Sequence, residues 1–244
     1  MLVMLVLYAL TNLGFMGPNP IGTTSTATNP LIVPEGWAFA IWGPIYLGLV
    51  AFPIYQLIKK RDNHPAWIPL RKLYAANVVA NGVWLAFASF DWLWLTVLVI
   101  AFMLVSLFRI NQLLREIEGS NATFSYWAER LVFSVYFAWV TLATVLNVSS
   151  ALHFYGWRGG PLSEVAWTIV MSVVASVIAG YTSWRYRNAP YALVVTWAFT
   201  ALAVRHWAGT RVLGMVGGVV AVAFLGLAIA NRVSQEEKGT MLKY

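Results

Sequence analysis

Long apolar runs alternate with short polar breaks along almost the whole chain. The runs fall at about 1–16, 34–58, 71–90, 92–109, 128–153, 164–184, 189–206 and 211–231. Most approach the ~20 residues that a helix needs to cross the hydrocarbon of a bilayer. Helix is the expected form, because it pairs every backbone N–H and C=O where no water is available. The runs are too long and too evenly apolar for the alternating strands of a membrane barrel. The pattern therefore predicts an all-α integral membrane protein of about eight transmembrane helices. The first run, Met1 to Phe15, has no Lys or Arg before it and reads as a retained helix rather than a cleaved signal.

The breaks carry the charge, and they carry it unequally. Thirteen of the sixteen Lys and Arg residues fall on one side of such a bundle: Lys59, Lys60, Arg61, Arg71, Lys72, Arg109, Arg115, Arg130, Arg185, Arg187, Arg232, Lys238 and Lys243. Only Arg158, Arg205 and Arg211 fall on the other. The bias of basic residues toward the cytoplasm then puts both termini inside, which an even number of spans requires. A bacterial inner membrane is the expected location. The first outer loop, Gly17 to Val33, is uncharged and rich in Pro, Gly, Thr, Ser and Asn, and is placed to fold over the outer mouth of the bundle. Asn121-Ala-Thr matches a glycosylation sequon but falls on the cytoplasmic side. The tail, 234–244, is polar.

Composition sharpens this picture by exclusion. Of 244 residues, 60% are hydrophobic and 10% charged, which no soluble domain of this size resembles. Cysteine is absent, so disulfides, thiolate metal sites and cysteine nucleophiles are excluded. The net charge of +7 flanks the apolar runs instead of forming a basic face, so nucleic acid is not an expected partner.

Three spans carry aromatic and amide side chains at helical spacing. Trp42 and Tyr46 stand four apart in the second. Tyr74, Asn77, Asn81 and Trp84 form one stripe in the third. Tyr136, Trp139, Ala143 and Asn147, with Leu146 beside the last, form another in the fifth. An amide in a membrane needs a partner, so the stripes are expected to face the protein interior. Two readings stay open: the amides join helices to each other, or with the rings they line a pocket. In the last three spans, Ser172, Ser176 and Gly180 form a small-residue ridge, and Gly214 with Gly218 a GxxxG pair, both suited to close helix packing.

These residues carry a resemblance to the tryptophan-rich sensory protein family, TspO/MBR, which includes the mitochondrial translocator protein. The matching features are Pro34 followed by Trp42 and Tyr46, Asn81-Gly-Val-Trp84, and the run Tyr136, Trp139, Ala143, Leu146, Asn147. Val135 stands where the family has Pro, and the aromatics around Trp37 and Phe39 are displaced by one residue. The resemblance covers about 1–155 and implies a five-helix ligand-binding bundle, often dimeric, that takes porphyrins, sterols or related lipophilic ligands. It leaves 156–233 as a three-helix membrane extension for packing or interaction. Carried over, the site is Trp42, Tyr46, Asn81, Trp84, Tyr136, Trp139, Ala143 and Asn147, with Asn77 and Leu146 on the same stripes.

Other classes are weaker. An ion-coupled transporter needs ionisable groups near the midplane, whereas every Asp, Glu, Lys and Arg here lies at or beyond a predicted helix end. No Lys lies within a span for a retinal Schiff base. No HExxH, GxSxG or carboxylate pair points to an enzyme, although porphyrin modification has been proposed for the family. An accessory subunit of a larger, pigment-containing membrane complex is the main alternative, with His153 and His206 as tetrapyrrole-ligating candidates. The reading is a receptor or carrier for a flat lipophilic ligand, tetrapyrrole-like or sterol- or carotenoid-like, serving sensing or transfer. Its partners are membrane lipids, that ligand, and a second copy or a larger membrane complex.

Overall fold

The computed structural model describes residues 30–58, 64–120 and 125–241. The first predicted span, 1–16, and the Asn121 sequon lie outside the described residues. A 3-10 turn, Gly36–Ile41, leads into α1 (Trp42–Ile58), followed by α2 (Trp67–Ser89) and α3 (Leu93–Gly119). A π-helical turn, Tyr126–Leu131, leads into α4 (Val132–Phe154), and α5 (Glu164–Arg185), α6 (Ala189–His206) and α7 (Arg211–Met241) complete the order. Each of the seven predicted spans among the described residues has its helix, and no strand occurs there.

Among the described residues, five helical stretches are long and apolar enough to cross a membrane: Gly36–Ile58, Leu93–Gly119, Tyr126–Phe154, Glu164–Arg185 and Arg211–Ser234. Of the eight expected spans, the first lies outside the described residues, and α2 and α6 are helices that fall short of this standard. α2 is diluted by Arg71, Lys72, Asn77 and Asn81, and α6 spans only 18 residues and includes Thr196, Thr200, Arg205 and His206. Outward apolar side chains such as Leu47, Leu57, Val79, Leu98 and Val219 are exposed, as a lipid-facing surface requires.

The chain divides into two compact units. The described part of the first is Phe39–Ala151, which holds α1 to α3 and most of α4. Its core comes from residues at helical spacing, with Ile45, Leu49 and Phe52 from α1, Leu70, Val78 and Leu85 from α2, Met103, Leu107 and Ile110 from α3, and Phe133 and Tyr136 from α4. α2 and α3 form an antiparallel hairpin, turned by Asp91 in the left-handed region at φ 57°. α1 and α4 approach so closely that a Cβ on Gly48 would lie 2.2 Å from Val132 Cγ2.

The second unit joins Pro30–Ala38 to the chain from Leu152 onward. Ser163 caps α5 by accepting from Ala166 N at 3.1 Å. Asn188 caps α6 by accepting from Tyr191 N at 3.1 Å, and Pro190 stands in the first turn where no donor is needed. α6 and α7 pack as a tight hairpin. A Cβ on Gly217 would lie 2.8 Å from Ala203 N and 2.9 Å from Phe199 O, whereas one on Gly218 would meet nothing within 4 Å. The close seam therefore runs through Gly214 and Gly217, one helical face over from the expected Gly214/Gly218 pair. The expected ridge of α5 does pack inward: Ser172 is buried, and a Cβ on Gly180 would lie 3.7 Å from Phe224 Cζ of α7. Asn231 of α7 ties back to α5, donating to Ser183 O at 3.2 Å and Ser183 Oγ at 3.0 Å.

Candidate ligand site

The three aromatic and amide stripes meet in the interior of the first unit. Trp42 and Tyr46, one turn apart on α1, stack at 5.2 Å between ring centroids and 24° between planes. Trp42 also meets Trp84 of α2 at 6.5 Å, and Tyr136 and Trp139 of α4 at 6.1 and 6.3 Å. Phe39 stands edge-on to Trp139 at 5.7 Å. Edge-to-face and tilted pairs of this kind are the favoured geometries of aromatic rings. Trp42 is thus the hub, touching rings from its own helix and from both neighbours.

The amides wire the same helices together. Tyr46 Oη donates to Asn81 Oδ1 at 3.4 Å, and Asn81 Nδ2 donates to Tyr136 Oη at 3.1 Å, linking α1, α2 and α4 through one fully buried side chain. Trp84 Nε1 donates to Asn147 Oδ1 at 3.3 Å. Ala143 and Leu146 are half-buried on α4. Asn77 goes elsewhere: its Nδ2 donates to Met103 O at 3.1 Å and Ser106 Oγ at 2.7 Å on α3. Tyr74 Oη donates to Leu49 O of α1 at 2.6 Å. These bonds make Asn77, Asn81 and Asn147 joints between helices, as one of the two sequence readings holds. The rings around Trp42 are what the other reading needs.

One polar atom in the cluster has no partner. Trp139 is 2% exposed, and its Nε1–H is buried without a hydrogen-bond acceptor. An unmade bond of this kind costs about 1–3 kcal/mol. Asn77 Oδ1 is likewise unpartnered, between α2 and α3.

Glu129 departs from the sequence expectation that every acid is peripheral. It is fully buried in the π-helical turn, its Oε1 accepting from Gln56 Nε2 at 2.7 Å and its Oε2 from Ser125 N at 2.7 Å. Gln56 Oε1 in turn accepts from Arg71 Nε and Nη2 at 3.0 and 2.8 Å. The wider π turn, common near functional positions, turns this carboxylate inward, and no spacing rule would have marked it. Beside it, Arg130 pairs with Glu118.

The two histidines lie outside this cluster. His206 Nε2 bonds to Leu31 O at 2.7 Å in the second unit, and since a carbonyl only accepts, that nitrogen carries the proton. His153 is half-buried in the last turn of α4, its carbonyl capped by Arg158. Among the described residues, no three His, Cys, Asp or Glu side chains gather as a metal site. On the outside of the α2–α3 hairpin, an open groove of about 610 Å³ is lined only by apolar side chains, Val79, Val83, Leu98 and Phe102 among them.

With this geometry in view, the family assignment follows from the chain itself. A family model described as TSPO-like protein matches residues 1–230, and the chain belongs to that family. The match runs through α5 and α6 and most of α7, well past the first five spans that carried the resemblance. With its long apolar helices, the chain is an integral membrane protein of TSPO-like type. No curated protein matches it. No solved structure matches it.

Proposed function

We propose that the protein binds a flat, lipophilic, tetrapyrrole-like ligand at the Trp42 cluster, as a receptor or carrier and not as an enzyme. The observation that carries the reading is the buried, partnerless Nε1–H of Trp139 at the edge of a ring cluster on three helices. A ligand with an apolar face and an acceptor at its rim would stack on Trp42 and Trp84 and take that N–H. The ring centroids of Trp42 and Trp84 are 6.5 Å apart, and a flat ring between two aromatic faces needs roughly 7–8 Å. Binding there therefore requires the two rings to part by about 1 Å. In the same reading, Ala143 and Leu146 line the site, the bundle within 1–155 is the binding part, and both termini face the cytoplasm.

The test is titration of the detergent-purified protein with protoporphyrin, followed by tryptophan quenching and the Soret band. Saturable quenching is expected. Trp139→Phe should weaken the apparent Kd about tenfold, the equivalent of one lost hydrogen bond near the upper end of its usual net worth. Trp42→Leu should abolish the quenching in a protein that keeps its helix content. Equal affinity in wild type and both variants would sink the proposal.

A further inference from the structure

α5 ends in a turn framed by one buried side chain, Ser183. Asn188 N donates to Ser183 O at 3.0 Å, and Arg187 N to Trp184 O at 3.2 Å. This pair of bonds is the Schellman arrangement, which sends the second residue past the helix into the left-handed region. Arg187 is that residue, at φ 46°. Glycine is the usual occupant, because a Cβ there crowds the following carbonyl oxygen. Ser183 Oγ also donates to Asn188 O at 3.1 Å, and Asn231 Nδ2 reaches Ser183 Oγ from α7 at 3.0 Å. The turn is therefore held from two sides, with the end of α7 beside it, all within the second compact unit.

A chain that needed only the turn would carry glycine at 187. Arginine accepts the backbone cost and sets a guanidinium at a fixed place. Two more arginines flank it. Arg185 Cζ lies 5.8 Å from the centroid of the Tyr186 ring, and Arg232 follows Asn231 on α7. All three are exposed. They stand at the ends of two membrane-length stretches, Glu164–Arg185 and Arg211–Ser234. Just before them on α5, Tyr181 and Trp184 are 63% and 66% exposed, as aromatic side chains are at headgroup depth. Residues 165–235 include no Asp or Glu, and Glu236 and Glu237 follow one turn past Arg232. Positive charge is thus concentrated at the depth where lipid phosphates lie.

We propose that Arg185, Arg187 and Arg232 form a binding site for the phosphate of an anionic phospholipid headgroup, with Tyr181 and Trp184 against the upper part of its acyl chains. Guanidinium groups suit this ligand because their paired N–H groups match phosphate oxygens. The braced turn holds Arg187 in place before the lipid arrives, which lowers the ordering cost of binding. The lipid bridges the α5–α6 turn and the end of α7. This site belongs to the last three helices alone and draws nothing from the Trp42 cluster.

The experiment counts lipids bound to the detergent-purified full chain by native mass spectrometry. Phosphatidylglycerol is titrated beside phosphatidylcholine with the same acyl chains. Phosphatidylglycerol is expected to bind more than about tenfold tighter, since several cations contribute at the surface. Arg187→Gly should weaken it roughly fivefold, the share of one cation. That variant should also be at least as stable as wild type, because glycine suits the left-handed turn. Arg232→Gln should weaken binding by a similar factor. Arg109→Gln removes the same charge from α3, in the other unit, and should leave binding unchanged. Equal affinity for the two lipids would overturn the site. So would an equal loss in Arg109→Gln and Arg187→Gly, which is the mark of diffuse attraction. Displacement of the lipid by inorganic phosphate, where chloride at the same ionic strength does nothing, would assign the arginines to a free anion and overturn the lipid.

Discussion

Replacing Gly217 with alanine is expected to destabilise the protein, while the same change at Gly218 is expected to stabilise it. Alanine in a helix interior is favoured over glycine by about 0.5–1 kcal/mol. At Gly218 nothing lies within 4 Å of the new Cβ, so the gain is kept. At Gly217 the Cβ would lie 2.8 Å from Ala203 N, 2.9 Å from Phe199 O and 3.0 Å from Ala203 Cα, all backbone atoms of α6. No side-chain rotation relieves that contact, so α6 and α7 must move apart. Overpacking of this kind costs about 1–3 kcal/mol, and backbone contacts belong at the upper end. The net expectation is a loss of about 1–2 kcal/mol for Gly217→Ala, and a gap of about 2–3 kcal/mol between the two variants. SDS-driven unfolding in mixed micelles, followed by far-UV circular dichroism, reads the difference directly. If Gly218→Ala is as damaging as Gly217→Ala, the packing seam has been assigned to the wrong face.

Two further outcomes follow from single contacts. Glu129→Ala leaves Gln56 Nε2 and Ser125 N without their acceptor and is expected to cost about 2–4 kcal/mol in the same unfolding assay. Glu129→Gln, which keeps one carbonyl oxygen, should cost about half as much, and equal stability of all three proteins would refute the role given to the buried carboxylate. Gly48→Ala meets Val132 at 2.2 Å and is expected to cost about 1–3 kcal/mol. Adding Val132→Ala should recover more than half of that loss, a coupling that a double-mutant cycle measures and that simple additivity would exclude.

Hydropathy located the helices better than it located their ends. α6 matches its predicted span, 189–206, at both ends, because Asn188 and Pro190 mark its start and a basic last turn its finish. α3 was expected to stop near Arg109 but runs to Gly119, and α7 passes its expected end at 231 to reach Met241. Apolar runs record where lipid is, whereas hydrogen bonding carries a helix on into water. α2 begins four residues before its predicted start, at Trp67, because that ring is buried ahead of the Arg71–Lys72 pair that masks the pattern. For the candidate site, spacing alone marked Trp42, Tyr46, Asn81, Trp84, Tyr136, Trp139 and Asn147, which the structure brings together. It grouped Asn77 with them, although one turn of α2 aims that amide at α3 instead. Glu129 and the bonds from α6 to the main chain of Pro30–Ala38 were not legible. The first depends on a π turn, and the second on carbonyl groups that every residue possesses.

The shortness of α6 has a bearing on how the protein meets its bilayer. At 18 residues it spans about 27 Å, a little under the ~30 Å of a typical hydrocarbon layer. A helix that falls short ordinarily thins the membrane around it, or sends its terminal cations out to lipid headgroups. Here Arg205 and His206 find carbonyl acceptors within the chain, at Val33 and Leu31. That end of α6 therefore meets part of its hydrogen-bonding need within the chain and calls on lipid headgroups for less.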